Sequence, residues 1–440
     1  MGRYFGTDGI RGAANLTLTP ELCLRFGKAL ATLPAEQIVL AMDTRQSNML
    51  LAGALISGAL SQGVSILHAG VLPTPGLAYY CRAHQCSGVM ITASHNPYPD
   101  NGLKLFKNGR KLLAPEEAAF EDALDATPPA YQSTIGTYVA TTQVRDEYLA
   151  FLRTHAPTSQ QRIGLDCAHG ATYEVAETIY REVSPHVFFA ASHPTGTNIN
   201  EGCGATHMDF TQAFVRKHHL DLGFSFDGDG DRFLCIDAHG TLYDGDLILA
   251  VLARYLRKHG KLAKDTLVVT KMSNLGILNQ LRQEGIRIIE TDIGDKYVLE
   301  TLEEKELSLG GEQSGHIIWR DALNTGDGIL ASLLLLRVIE EEQQTLAELT
   351  RDLVRYPERL VNLAVPSKSI ATHPSVQNMV HQLQQKYGER GKFLVRASGT
   401  EALVRVSASA PTTADVDAAI ATLVHLIRSL SVGTPKEVTP

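Results

Sequence analysis

A chain of 440 residues, 44% hydrophobic and 20% charged, is too long for one core and predicts two to four domains. Its 40 basic and 48 acidic residues leave a net charge of -8, which excludes a chain-wide affinity for nucleic acid or anionic membrane, so any anion site must be local. Six cysteines without a C-x-x-C spacing exclude a zinc or disulfide framework and point to free thiols in a reducing cytoplasm.

In chain order, "FGTDGIRG" (5–12) opens the sequence with no apolar leader and sets Arg11 among glycines. Strands are predicted at 38–42, 64–68 and 89–92, with a small-residue helix at 50–62. The apolar stretches 49–60 and 329–336 fall short of the ~20 residues of a membrane helix and read as buried helices. In "GVMITASHNPYPDNGLKLF" (88–106) Ser94 stands where a buried strand stops, followed by His95, Asn96 and Lys104. That end of a parallel strand is where ligands bind, so Ser94 is a candidate nucleophile, although Ser, Asn and Pro are also ordinary turn residues.

A second strand and helix alternation starts near Arg162, with strands at 163–166 and 222–226 and a helix at 173–182. It ends in "FSFDGDGDRFLCID" (224–237), where Asp227, Asp229 and Asp231 alternate with glycines. Carboxylates this close repel one another unless a cation sits among them, and oxygen ligands favour Mg²⁺ or Ca²⁺. An EF-hand is excluded by Arg232 at the sixth position and Ala238 at the twelfth. Arg232 beside a metal suits an anionic phosphoryl group.

A third alternation follows a helix at 247–259: strands at 266–270 and 287–290, helices at 275–284 and 328–342. Between them "LGGEQSGHIIW" (309–319) sets Glu312, Ser314 and His316 around a Gly-rich turn, a group suited to sugar hydroxyls or simply to turn backbone. Beyond Tyr356-Pro357 the pattern becomes α+β, with strands at 359–365, 392–395 and 403–407 and a helix at 415–430. There "RASGTEALVRV" (396–406) offers Arg396, Ser398, Gly399, Thr400 and Arg405 as a phosphate cradle. Together these groups fit phosphoryl transfer on a sugar phosphate.

With "TASHNP", "DGDGDR", "GEQSGH" and "RASGTE" in that order, the chain resembles the α-D-phosphohexomutases over nearly its whole length. Gln313, "IGDKYV" (293–298) and "NINEGCGATH" (198–207) are similar to the branch acting on amino sugars. Ala402, in place of the usual proline, and Met42, in place of a basic residue, depart from the pattern. The resemblance implies three similar α/β domains with mixed or parallel sheets plus a smaller α+β carboxy-terminal domain around a central cleft. The expected boundaries are 1–153 with the phosphoserine loop, 154–251 with the metal loop, 252–356 with the sugar loop and 357–440 with the phosphate cradle. It also implies that Ser94 is a phosphoserine completing a Mg²⁺ site with Asp227, Asp229 and Asp231. The implied reaction interconverts glucosamine 6-phosphate and glucosamine 1-phosphate through a hexosamine 1,6-bisphosphate, on the route to UDP-N-acetylglucosamine. Lys104 and His95 are then the candidates for proton transfer, Arg11 and Arg232 steady the transferring group, and Glu312, Ser314 and His316 face the sugar. A phosphomannomutase/phosphoglucomutase, a silent sugar-phosphate sensor and a cation-dependent phosphatase are the competing readings. A homodimer is entertained, with no residue deciding it.

Overall fold

Apolar runs of four to eight residues set between amphipathic helices fold into four sheets. The computed structural model describes residues 2–6, 8–34, 37–126, 133–397 and 403–432. The chain divides into two compact units, Met1–Lys271 with Ile289–Leu349, and Met272–Ile288 with Thr350–Pro440.

The first segment runs β1 (Ile10–Ala13), α1 (Pro20–Ala29), β2 (Gln37–Met42), α2 (Asn48–Leu60), β3 (Ser65–Val71), α3 (Thr74–Ala83), β4 (Ser87–Ile91), β5 (Asp100–Lys107), β6 (Arg110–Lys111), α4 (Ala114–Asp125) and β7 (Tyr138–Ala140). Its strands lie in the order β1-β5-β4-β2-β3-β7, with β6 paired to β5. β2, β3, β4 and β7 are parallel, whereas β5 runs antiparallel to both β4 and β1. The second segment runs α5 (Gln143–His155), β8 (Ile163–Asp166), α6 (Tyr173–Val183), β9 (Val187–Ala190), α7 (Met208–His218), β10 (Leu222–Phe226), β11 (Phe233–Asp237) and β12 (Leu242–Tyr243), ordered β12-β11-β10-β8-β9. The third runs α8 (Gly245–Lys258), β13 (Thr266–Thr270), α9 (Leu275–Gln283), β14 (Arg287–Thr291), α10 (Asp295–Glu304), β15 (Leu309–Gly311), β16 (Ile317–Trp319), α11 (Gly328–Glu342) and α12 (Leu346–Thr350), with its sheet ordered β14-β13-β15-β16.

The sheets are mixed, and the antiparallel exceptions matter. Parallel strands deliver each chain to one edge, and an antiparallel partner turns it straight back: β4 into β5, β10 into β11, β15 into β16. Of the four motifs, "TASHNP", "DGDGDR" and "GEQSGH" each fall in the connection of one of these hairpins, which makes the three α/β segments similar in pattern.

In the second unit β17 (Glu358–Ala364), α13 (Pro374–Tyr387), β18 (Lys392–Ala397), β19 (Leu403–Ser409) and α14 (Thr413–Val432) form an antiparallel sheet, β17-β19-β18, backed by helices. Its apolar face builds a separate core of Leu363, Val376, Phe393, Val404, Val406, Leu423 and Ile427. α9 belongs to this unit: Asn274 Nδ2 donates to the Tyr356 carbonyl at 2.9 Å.

Among the described residues no helix is long and apolar enough to cross a membrane. The stretch 329–336 is buried as its composition predicts, but α2 is buried on one face only: Met49 is 65% exposed while Leu51 and Leu55 are fully covered. That inner face lies against α1 at paired glycines. A Cβ on Gly58 would stand 2.2 Å from the Leu24 carbonyl oxygen, and one on Gly27 2.0 Å from that of Leu55, so the crossing admits no side chain at either point. Gly53, on the exposed side of α2, has nothing within 4 Å of such a Cβ. Gly58→Ala is therefore expected to lower the first unfolding transition, at about 2–3 kcal/mol for an overpacked site whose obstacles are backbone. Gly53→Ala should raise it by up to about 1 kcal/mol through helix propensity. Denaturant melts of the two variants check the opposite signs.

Candidate active site

The carboxyl ends of β2 and β4 lie side by side, with Met42 opposite Ile91. The chain leaves them as "DTR" (43–45) and "TASHNP" (92–97), and the first holds the second in place. Arg45, fully buried, pairs with Asp43 at 2.9 Å and donates to the carbonyls of Ser94 (2.9 Å), Asn96 (2.8 Å), Pro97 (2.5 Å) and Asp100 (2.9 Å). A planar guanidinium with five donors is the side chain able to gather so many acceptors. Asp43 also accepts from Thr92 Oγ1 at 2.7 Å, and Thr92 Oγ1 accepts the Ser94 N–H at 2.9 Å. Asn200 Nδ2 donates to the Ser94 carbonyl at 2.9 Å from the second segment. Within this clamp Ser94 adopts a left-handed backbone, φ 52°, and is 1% exposed.

Ser94 Oγ donates to Asp227 Oδ2 at 2.6 Å. Asp227, Asp229 and Asp231 turn the β10–β11 hairpin, and their ligand oxygens lie within 4.8 Å of one another, all buried. Gly228 makes the approach possible, since a Cβ there would sit 2.5 Å from the Ser94 carbonyl oxygen. Burial, then Asp231 and Asp229, push the Asp227 carboxyl well above its ordinary value. Burial also works against Asp231, but Lys104 and His316 outweigh it and hold Asp231 well below. Asp229 Oδ1 and Asp231 Oδ1 are buried without a hydrogen-bond partner among the described residues. Three convergent carboxylates, two with orphaned oxygens, make an all-oxygen site that fits Mg²⁺.

The remaining neighbours form a ring of alternating charge. Lys104 Nζ, on β5 opposite Met90, is 2.8 Å from Asp229, 3.0 Å from Asp8 and 3.4 Å from Asp231. Burial disfavours its charge, yet Asp229, Asp8 and Asp231 keep its pKa well raised, so it is an ammonium. His316 stands 3.6 Å from Asp231 and 3.6 Å from Asp295; burial opposes its charge and the two carboxylates raise its pKa. Asp295 pairs with Lys111 at 2.5 Å, and Lys111 reaches back to Asp8, which also pairs with Arg11. Asp8, Lys104, Asp231, His316, Asp295 and Lys111 thus close a circuit through all three α/β segments of the first unit. His95, half-buried, has Nδ1 3.4 Å from Ser94 Oγ; burial, Arg232 and Arg11 lower it to about 4, leaving a neutral imidazole at neutral pH. The Arg232 guanidinium lies 3.9 Å from Asp231, and among the described residues its Nε lacks a hydrogen-bond partner, as does Arg11 Nε.

The sugar-loop candidates are only partly gathered. Glu312 Oε1 accepts the Gly294 N–H at 3.1 Å, His316 joins the ring and Ser314 is exposed. In the second unit Arg396 and Arg405 stand directly opposite each other on β18 and β19, so both guanidinium stems share a face, and Arg405 Nε is buried without a partner among the described residues. Ser398, Gly399, Thr400 and Ala402 lie outside the described residues. The motif reading passed over Asp8, Asp43, Arg45, Lys111 and Asp295. Of these, Asp43 and Arg45 carried a signal, a charged pair placed immediately after the apolar run 38–42.

A buried carboxyl supports the metal loop from behind. Asp327 caps α11 by accepting the Leu330 N–H at 2.9 Å and the Tyr148 hydroxyl at 2.9 Å, while the next residue, Gly328, donates its N–H to the Gly230 carbonyl. Burial pushes Asp327 up to about 7 against those bonds. The folded protein then keeps a proton that the unfolded chain, at ~3.9, has lost, so this group costs stability as pH rises from ~4 to ~7. Asp327→Asn retains a capping side chain and cannot ionise. Its unfolding free energy is expected to match wild type near pH 4 and to exceed it increasingly up to pH 7, by on the order of 4 kcal/mol at most. A difference constant with pH would show that Asp327 does not titrate there.

Sequence profiles described as phosphoglucomutase/phosphomannomutase alpha/beta/alpha domains I, II and III match residues 2–129, 146–240 and 244–356, and the profile of the C-terminal domain matches 360–425. A phosphoglucosamine mutase of Anoxybacillus flavithermus is 41% identical over 444 residues, covering 97% of this chain and 99% of its own. Among solved structures, a phosphoglucomutase/phosphomannomutase family protein of Burkholderia thailandensis shares the fold at 20% identity, with a TM-score of 0.83 and 98% of each chain covered. An N-acetylphosphoglucosamine mutase of Aspergillus fumigatus, solved with GlcNAc-6P and magnesium, shares it at 19% identity, with a TM-score of 0.66 and coverage of 98% of this chain and 96% of that one.

Proposed function

The chain belongs to the phosphoglucomutase/phosphomannomutase family, whose domain profiles together match most of its length, and we propose that within it the chain interconverts glucosamine 6-phosphate and glucosamine 1-phosphate. The observation that carries this reading is the buried Ser94 Oγ, 2.6 Å from Asp227 in a cluster of three carboxylates. The relative at 41% identity supports the amino sugar as substrate.

Phospho-Ser94 gives its phosphoryl group to O1 of glucosamine 6-phosphate: the bond from phosphorus to Ser94 Oγ breaks as that to O1 forms, and the hydroxyl proton leaves to a base. The resulting 1,6-bisphosphate reverses in the site, and its O6 phosphoryl group returns to Ser94, releasing glucosamine 1-phosphate. Asp227, Asp229 and Asp231 would hold Mg²⁺ beside Ser94, where a bound cation offsets charge on the transferring group. Arg232 adds positive charge, as does Lys104 in its ammonium form, and Arg11 steadies the same oxygens. His95, neutral and adjacent to Ser94 Oγ, and Lys104 are the two side chains placed for proton transfer. The phosphate that does not react rests on Arg396, Ser398, Gly399, Thr400 and Arg405, where its binding energy orients the reacting end. Glu312, Ser314 and His316 bind the sugar. Water must be kept from phospho-Ser94, and the nearly complete burial of Ser94 serves that end.

Four domains, 1–153, 154–251, 252–356 and 357–440, divide the work between serine, metal, sugar and distal phosphate. The six free cysteines support a reducing cytoplasm, and a homodimer would leave the serine, metal loop and charge ring within each chain.

With each sugar's own 1,6-bisphosphate as primer, glucosamine 6-phosphate is expected to turn over with kcat/KM at least roughly tenfold above glucose or mannose 6-phosphate. Ser94→Ala should abolish turnover without altering the fold. Equal or better turnover of glucose or mannose 6-phosphate would move the assignment to a phosphomannomutase/phosphoglucomutase.

A further inference from the structure

α3 ends in a left-handed residue, Gln85 at φ 51°, and the two hydrogen bonds that follow define the form of that ending. The Cys86 N–H donates to the Cys81 carbonyl at 3.0 Å, and the Gln85 N–H donates to that of Arg82 at 3.4 Å. This 6→1 and 5→2 pair is a Schellman motif, in which the side chains of the first and last residues commonly meet. That pair is usually apolar; here both members are cysteines.

The surroundings agree with the backbone. A Cβ on Gly88 would lie 2.6 Å from Cys81 Sγ, so the Cys81 sulfur rests over the start of β4. Cys86 and Gly88 are two residues apart as the chain enters that strand and share a face of it. Cys81 is fully buried and Cys86 only half-buried, so one thiol of the pair meets solvent while the other stands behind it.

We propose that Cys81 and Cys86 form an oxidation site, at which a hydroperoxide converts the pair into an intrachain disulfide. The Cys86 thiolate attacks a peroxide oxygen, the O–O bond breaks, and Cys86 becomes a sulfenic acid as water or an alcohol leaves. Cys81 then attacks the Cys86 sulfur, the S–O bond breaks, and the Cys81 proton departs with the leaving oxygen as water. Two thiols lose two electrons and two protons, and the peroxide is reduced by the same two electrons. Hydrogen bonding from the Cys81 thiol, with the nearby His84, holds Cys86 below the ordinary thiol value, while the same pairing and then burial raise Cys81. This is the asymmetry of an attacking thiol and a resolving one. The other four cysteines are buried, and burial pushes each of their thiols up, Cys23 and Cys203 to about 12. The inference is independent of the sugar-phosphate reading.

The sequence supplies a direct readout, because Arg82 lies between the two cysteines and trypsin cuts after it. Folded wild-type protein is treated with a small excess of hydrogen peroxide, quenched, alkylated in denaturant and digested without reductant. Peptides 46–82 and 83–104 are expected as one linked species, lighter by two hydrogens than their sum and separated by reduction. Cys23, Cys167, Cys203 and Cys235 should stay fully alkylated, and Cys86→Ser should remove the linked species. Three results would each overturn the proposal: no linked species, sulfinic acid accumulating on Cys86 while Cys81 stays alkylatable, or oxidation spread equally over all six cysteines.

Discussion

Three buried carboxylates within five residues set the terms for the first unit. Asp227, Asp229 and Asp231 cannot all be ionised in a water-poor site unless positive charge is brought to them. Part of that charge comes with the fold, Lys104 from β5 and Arg232 from the end of the same loop, while for His316 of the β15–β16 hairpin burial opposes and Asp231 and Asp295 favour the charged form. These cations need counter-charges in turn, which Asp8 and Asp295 provide, and Lys111 joins those two. The outcome is a closed circuit that ties the three α/β segments together. Two carboxylate oxygens are still left over, and they are where a divalent ion fits.

The serine faces a second constraint. A side chain that meets the acidic loop as closely as Ser94 does has to sit on backbone that cannot drift, and Ser94 is held with a positive φ that a non-glycine residue seldom adopts. Arg45 supplies the restraint by gathering the carbonyls of the loop, and its ion pair with Asp43 orients it. Gly228 then lets the two loops touch backbone to side chain. Strain at Ser94 and close packing at Gly228 are thus two parts of one arrangement.

The hairpins explain how much of this was legible in the sequence. Each motif was visible because apolar strands flank it and because its residues carry chemistry in a short span, as in "DGDGDR". Alternating strands and helices identified the α/β segments, and the change after Pro357 marked the antiparallel sheet that follows. The exposed face of α2 was missed because a run of small apolar residues has almost no amphipathic signature. The ring was not legible for a different reason. Lys111 meets Asp295 across 184 positions and His316 meets Asp231 across 85, and a lone aspartate in "IGDKYV" looks like a helix-capping residue until β15 and β16 bring the loop beside it. Arg45 carries one clue in the sequence, its place directly after a buried strand.

In the proposed reaction Ser94 carries the phosphoryl group, and that is open to direct observation. Protein incubated with glucosamine 1,6-bisphosphate and then digested should show phosphate on Ser94 alone by peptide mass spectrometry, and that phosphate should be depleted when excess glucosamine 6-phosphate is added without primer. Ser94 remaining unmodified under those conditions, or phosphate found on another residue while turnover continues, would contradict it.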